Sequence, residues 1–190
     1  AKSVYAPRAE GQAKSLTRAY ERAGYGPETV ELVEAHGTAT KAGDAAEFGG
    51  LRLAFDTAGR EDRQWCALGS VKSQIGHTKA AAGAAGLFKA VMALHHKVLP
   101  PTIKVDQPNP KLTIEDSPFH INTQARPWIR ASDHPRRASV SSFGFGVSNF
   151  HIALQEYQGD SEAPARLRSL PVELVALSGS DGADIAQQAR

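Results

Sequence analysis

Two histidines, His36 and His77, each sit in a glycine-bearing turn, in Glu34-Ala35-His36-Gly37-Thr38-Ala39-Thr40 and in Val71-Lys72-Ser73-Gln74-Ile75-Gly76-His77-Thr78. Each turn follows a short apolar run and precedes an alanine-rich helical stretch. Two imidazoles and the Lys72 ammonium therefore fall at strand ends, where α/β folds place their chemistry. No nucleophile accompanies them. Cys66 lies beside Trp65 in a predicted buried strand and reads as an inert small hydrophobe. The set is the acid–base and electrostatic half of an active site, without the half that forms a covalent bond.

His77 precedes a predicted helix, at the positive end of its dipole, where an Nε2–H donor suits a developing oxyanion better than a stored proton. Gly37 lets the chain turn sharply after His36. Thr38 and Thr40 put two hydroxyls on the same loop, to hold the amides of an extended ligand or simply to satisfy the turn. Lys72 is either a solvated lysine or, in a buried turn, a charge that fixes a carboxylate or histidine. Gly144-Phe145-Gly146 reads as a hairpin turn with a core phenylalanine or as a movable aromatic gate. Gly69 to Gly76 lacks the Gly-Lys-Ser/Thr end of a phosphate loop, and the run from Gly144 lacks the third glycine of a dinucleotide fingerprint. Glu34 and His36 have the wrong spacing for a helical zinc site, and no metal is expected. His95, His96, His120, His134 and His151 form no convincing constellation.

The elements that must position these groups follow from periodicity and punctuation. A helix is predicted over Gln12 to Ala23, closed by Gly24 and Gly26-Pro27. A strand is predicted over Thr29 to Glu34, then a helix from Gly43-Asp44 to about Phe55 with Asp44 as N-cap. A short strand over Gln64 to Leu68 leads into Lys72. The next helix, Lys79 to about His96, is apolar nearly all round with Gly83 and Gly86, which predicts a buried helix in close contact with neighbouring backbone. Pro100-Pro101 ends the run. A proline-punctuated loop with a turn at Asn109-Pro110 leads to a strand over Phe119 to Asn122. Arg137 to Phe143 and Asn149 to Glu156 form an antiparallel pair. Residues 158 to 169 read as a linker, Leu174 to Ser178 as a strand, and Asp181 as the start of a helix. The order αβαβαββ implies a mixed sheet with helices on its faces, an α/β fold.

Composition sets the bounds. The chain has 190 residues, 41% of them hydrophobic, enough for a core. Lys+Arg 22 against Asp+Glu 20, with no basic run, gives no reason to expect nucleic acid. No run of about 18 apolar residues is present, so no membrane span is expected. A single cysteine excludes an intrachain disulfide and fits a reducing, cytoplasmic setting. The start at Ala1 without methionine and the stop at Arg190 inside a helix-like segment are expected of a fragment of a longer polypeptide.

Taken in order, the His36 segment with Gly43-Asp44, Lys72-Ser73-Gln74-Ile75-Gly76-His77, and Ser142-Phe143-Gly144-Phe145-Gly146 closely resemble the C-terminal half of a β-ketoacyl synthase of polyketide or fatty acid synthase type. Ala45-Ala46-Glu47-Phe48 and His95-His96-Lys97-Val98-Leu99-Pro100-Pro101-Thr102-Ile103 are most similar to synthases of polyunsaturated fatty acid systems. The resemblance covers residues 1–157. Residues 158–190 look like a linker and the start of a region leading to an acyltransferase domain. It implies a thiolase-like fold of two duplicated α/β halves, normally dimeric, with this chain as the second half. The implied reaction is a decarboxylative Claisen condensation between an acyl chain on a cysteine and malonyl on an acyl carrier protein. By the same resemblance His36 and His77 are the histidines that aid decarboxylation and stabilise oxyanions, and Lys72 orders the site. Thr38 and Thr40 hold the phosphopantetheine arm of the carrier protein, Phe145 is the gate, and Asn149 belongs to the substrate-binding set. No cofactor is bound directly.

The nucleophilic cysteine implied by the resemblance lies in the first half, and Cys66 does not match it. Two departures touch functional positions: Ala39 stands where glycine is commoner, and Val147-Ser148 where Gly-Thr is usual before Asn149. Two other readings compete. One is a non-catalytic partner subunit of chain-length-factor type, which usually lacks the residues retained here. The other is a thiolase-type enzyme acting on coenzyme A esters, disfavoured by the two-histidine pattern.

Overall fold

The computed structural model describes residues 6–130, 134–144, 148–159, 177 and 179–188. In chain order these form α1 (Ala9–Ala23), β1 (Leu32–Glu34), α2 (Lys41–Phe55), β2 (Cys66–Gly69), α3 (Lys72–Ile75), α4 (Ala82–His96), β3 (Val98–Leu99), β4 (Phe119–Ile121), β5 (Arg126–Pro127), β6 (Arg137–Phe143), β7 (Asn149–Gln155) and α5 (Gly182–Gln188). The main sheet runs β4-β2-β1-β6-β7, and β3 pairs with β5 as a separate ribbon. Strands β4, β2, β1 and β6 are mutually parallel, while β7 returns antiparallel beside β6 with Phe143 opposite Asn149. The C-terminal ends of β1, β2 and β6 therefore open on one edge, with β1 in the middle.

Alternation along β1 divides the core. Val33 joins Leu16, Tyr20, Phe48, Leu51 and Phe55 of α1 and α2 on one face of the sheet. Leu32 joins Ala90, Ala93 and Leu94 of α4, with Ala138 and Val140, on the other. This is the mixed α/β layering that the pattern predicts.

The differences from expectation have local causes. Helix α1 begins at Ala9, three residues earlier than the apolar spacing indicates. A 3₁₀ turn over Pro27–Thr29, closed by the Thr29 hydroxyl donating to the Gly26 carbonyl at 2.8 Å, shortens β1 to Leu32–Glu34. Helix α2 is capped by Thr40 rather than Asp44, because Thr40 is the extended residue and its Oγ1 accepts the Gly43 N–H. Gln64 adopts a φ of 56°, which keeps it out of β2. Lys79, at φ 55°, puts a 3₁₀ turn over Lys79–Ala81 ahead of α4, and Lys97 at φ 56° closes that helix before Pro100 is reached.

Helix α4 is buried on one face only. Phe88 and Val91 are exposed on its other face, and Phe150 and Ile152 of β7 are exposed as well. Ile152 lies opposite Val140 in the ladder, so this apolar surface is on the α4 side of the sheet. The helix expected to start at Asp181 is present as α5, and the Asp181 Oδ1 accepts the N–H groups of Ala183 and Asp184 at its first turn. The linker over 158–169 and the strand over Leu174 to Ser178 fall almost entirely outside the described residues.

Candidate active site

Parallel pairing puts Glu34 opposite both Gly69 and Val140, so the turns after β1 and β2 leave the sheet side by side. His36 leaves the first turn and His77 follows α3 in the second. Their rings meet edge to face, with centroids 5.5 Å apart and planes at 87°. Phe143, the last residue of β6, packs against His36 at 5.9 Å. Three strand ends thus meet at one imidazole pair.

The His36 turn is held from below by α2. Glu47 Oε1 accepts the His36 N–H at 2.7 Å and Oε2 accepts the Gly37 N–H at 2.8 Å. Burial pushes the Glu47 carboxyl up to about 7, against the pull of those two hydrogen bonds. Gly37 itself sits at φ 50°, and a Cβ there would stand 2.7 Å from the Ser70 Cβ, so only glycine fits between the two turns.

The second turn is held by β1. Glu34, 1% exposed, is the last strand residue, and its Oε1 accepts the Val71 N–H immediately before Lys72. Burial draws the Lys72 ammonium below the usual lysine range, and the carboxylates of Glu34 and Glu47 oppose this. His36 is lowered to about 4, first by burial and then by the charges of Lys72 and His77, so its ring is neutral at neutral pH. His77 is exposed, and its Nδ1 accepts the Lys79 N–H at 3.0 Å. The ring proton of that tautomer lies on Nε2, free to donate. Helix α4 begins only at Ala82, so His77 adjoins not that helix but the 3₁₀ turn over Lys79–Ala81, whose first N–H its ring accepts.

Thr38 and Thr40 lie at the mouth of the same loop, their Oγ1 atoms 3.2 Å apart and both over Gly43. Thr40 also caps α2, so one of the two hydroxyls serves the fold as well as the rim. Asn149 starts β7 opposite Phe143, and its side-chain amide lies near Gly11 of α1, so no contact brings it to the histidines. Phe145 lies outside the described residues. Cys66 is fully buried and burial pushes its thiol well up, as expected of a structural cysteine. His151 does have partners, Ser141 Oγ and the Tyr20 hydroxyl, and burial lowers it to about 3. Those contacts pin α1 to the sheet, away from the histidine pair.

Three residues that hold the site, Glu34, Glu47 and Lys89, carry no role that the sequence alone reveals. Lys89 Nζ lies 2.8 Å from Glu34 Oε2. A signal for it exists, since Lys89 is the one charged residue between Ala80 and Leu94, and a lone charge on an apolar helix requires a buried partner. Among the described residues no group of three or more His, Cys, Asp or Glu side chains could hold a metal ion. No helix among them is long and apolar enough to cross a membrane. The arrangement offers hydrogen-bond donors from neutral rings beside a cation, suited to an anion that forms at this edge of the sheet.

Residues 1–106 match the family model for the C-terminal domain of β-ketoacyl synthases, and residues 108–190 match that for the ketoacyl-synthetase C-terminal extension. The chain is 46% identical over 185 residues to one of the subunits of a polyunsaturated fatty acid synthase from Thraustochytrium, covering 95% of this chain and 6% of that protein. It is 45% identical over 155 residues to the polyketide synthase PksL of Bacillus subtilis, covering 82% of this chain and 3% of that one. Among solved structures, the ketosynthase from module 6 of the Bacillus subtilis bacillaene synthase superimposes with a TM-score of 0.77 at 44% identity, over 84% of this chain and 30% of that one. Ketosynthase twelve of the Bacillus amyloliquefaciens bacillaene synthase gives 0.78 at 36% identity, over 82% and 28%. The chain therefore spans under a third of these ketosynthases and a small part of the curated relatives, and it has their thiolase-like fold.

Proposed function

This chain belongs to the β-ketoacyl synthase family, and on that premise we propose that it supplies the acid–base and electrostatic residues of a condensing enzyme. The reaction joins an acyl thioester to malonyl on an acyl carrier protein with loss of carbon dioxide. The observation that carries this reading is the His36–His77 pair, edge to face at 5.5 Å, with His36 neutral and the Nε2–H of His77 free.

As the malonyl carboxylate leaves as carbon dioxide, its bonding electrons move onto the thioester as an enolate. The two imidazole N–H groups stabilise that developing oxygen charge without first having to lose a proton. The enolate carbon then attacks the acyl carbonyl, and a cysteine thiolate departs. Cys66 cannot be that thiolate, because it is enclosed in the core. The nucleophile comes from outside the residues described. Lys72 keeps the local field positive and, after burial, helps to hold the His36 ring neutral. Thr38 and Thr40, at the rim, receive the amides of the phosphopantetheine arm. Phe145 acts as the gating aromatic, whereas Asn149, whose side-chain amide lies near Gly11 of α1, is left out of the substrate-binding set.

Residues 1–157 act as the second half of the two-half fold, and 158–190 as a linker toward an acyltransferase region. The apolar surface of Phe88, Val91, Phe150 and Ile152 is where the first half packs. Homodimerisation and a cytoplasmic setting follow the same reading. Retention of His36, His77 and Lys72 disfavours a non-catalytic partner subunit. The test is to supply the intact polypeptide with an acyl donor and malonyl-carrier protein and to follow the product by mass spectrometry. A β-ketoacyl-carrier protein two carbons longer than the donor is expected. Acyl loading without any condensation product would refute the proposal.

A further inference from the structure

Three elements meet on one buried carboxylate. Glu34 ends β1, its Oε1 takes the Val71 N–H, and its Oε2 pairs with Lys89 of α4 at 2.8 Å, with side-chain exposures of 2% and 9%. Helix α4 reaches this position because Gly86 has no side chain: a Cβ there would stand 3.1 Å from the Glu34 Cγ and 3.2 Å from the Val140 Cγ1. Taking both charges out of water is costly, and apolar residues of similar volume commonly do as well or better for stability. Such a pair is explained more readily by what it specifies than by what it stabilises.

What it specifies is next in the chain. Lys72 follows the anchored Val71, and the titratable groups facing it are Glu34 from β1, Glu47 from α2 and the neutral His36 ring from the intervening loop. Lys89, from α4, acts on it through Glu34. We propose that Glu34, neutralised by Lys89, is a positioning residue of the site: its carboxylate anchors the turn that presents Lys72 and supplies part of the negative charge that Lys72 faces. The proposal rests on the condensing role of the site for its consequence, since Lys72 matters there, but its own test does not use that activity.

The test titrates Lys72 directly in the intact polypeptide, by trace labelling of amines with acetic anhydride across a pH series and quantitation of the Lys72 peptide. Glu34→Gln with Lys89→Met keeps an oxygen for the Val71 N–H and removes both charges. Losing the anion makes the ammonium less favourable. The Lys72 midpoint is expected to fall by about half a unit or more, which is roughly threefold more free amine at a pH below both midpoints. Lys89→Met alone frees the Glu34 charge to act on Lys72, so its midpoint is expected to rise. Opposite shifts support the proposal. Unchanged midpoints, or shifts of one sign in both variants, would overturn it, because a purely structural pair loosens the site without reversing the direction. Should the double variant not fold, Lys89→Met decides alone, and failure of both to fold would assign the pair to stability only. Carbon dioxide release by the same proteins separates the two claims. An inactive wild-type protein counts against the condensing reading and leaves the Lys72 titration standing, whereas an active one with an unmoved Lys72 counts against this inference only.

Discussion

Replacing Gly37 by alanine adds two separate costs to the turn that carries His36. The residue sits at φ 50°, in the left-handed region, where an alanine costs about 1–2 kcal/mol. The added Cβ would also stand 2.7 Å from the Ser70 Cβ and 2.8 Å from its Oγ. Ser70 is buried behind the end of β2 and cannot swing away, so one of the two turns must shift, and overpacking of this kind costs about 1–3 kcal/mol. The expected loss is about 2–5 kcal/mol, a large part of a typical domain's stability. Gly24 provides the control. Its φ is 74°, but a Cβ there meets nothing within 4 Å, so Gly24→Ala bears only the conformational cost of about 1–2 kcal/mol. Urea unfolding of both variants in the intact condensing domain measures the difference. Equal losses at Gly37 and Gly24 would refute the claim that the two catalytic turns are packed against each other.

The remaining predictions concern the same edge of the sheet. Ala39 adopts φ 57°, which explains why glycine is commoner there, and Ala39→Gly is expected to raise stability by up to about 1 kcal/mol in the same unfolding assay. His36 should titrate near 4 by NMR. Its folded value lies below the ordinary 6.5, so its contribution to stability is complete above about 6.5 and is lost as pH falls through 4. A His36 midpoint at 6 or above would show that the ring is solvated. Cys66 should resist thiol reagents in the native protein and react at the rate of unfolding. Fast native labelling would contradict its place in the core.

What could be read from the sequence was local. Glycines beside His36 and His77, apolar runs before them and the ordered motifs place the two turns at strand ends, because these signals lie within a few residues of the groups they position. The hydrogen bonds from His36 and Gly37 to Glu47 cross from a loop to the following helix, and the Glu34–Lys89 pair joins residues far apart in the chain, so no periodicity reveals them. Backbone turns made without glycine were equally hidden. Gln64, Lys79 and Lys97 all take positive φ with ordinary side chains, and each moves an element boundary. The even apolar character of α4 predicts burial all round, yet one face packs on the sheet and the other, with Phe88 and Val91, is open. Periodicity reports that a helix will be covered, and leaves unsaid by what.

The central claim is that the paired histidines stabilise the charge formed when malonyl loses carbon dioxide, and His77→Ala tests it most directly. Two rates are measured in the intact polypeptide: acyl loading onto the nucleophilic cysteine, and carbon dioxide release from malonyl-carrier protein by the loaded enzyme. Removal of one oxyanion donor costs about a hundredfold or more. The account predicts that release falls by at least that factor while loading is retained. Carbon dioxide release at the wild-type rate from His77→Ala would contradict it.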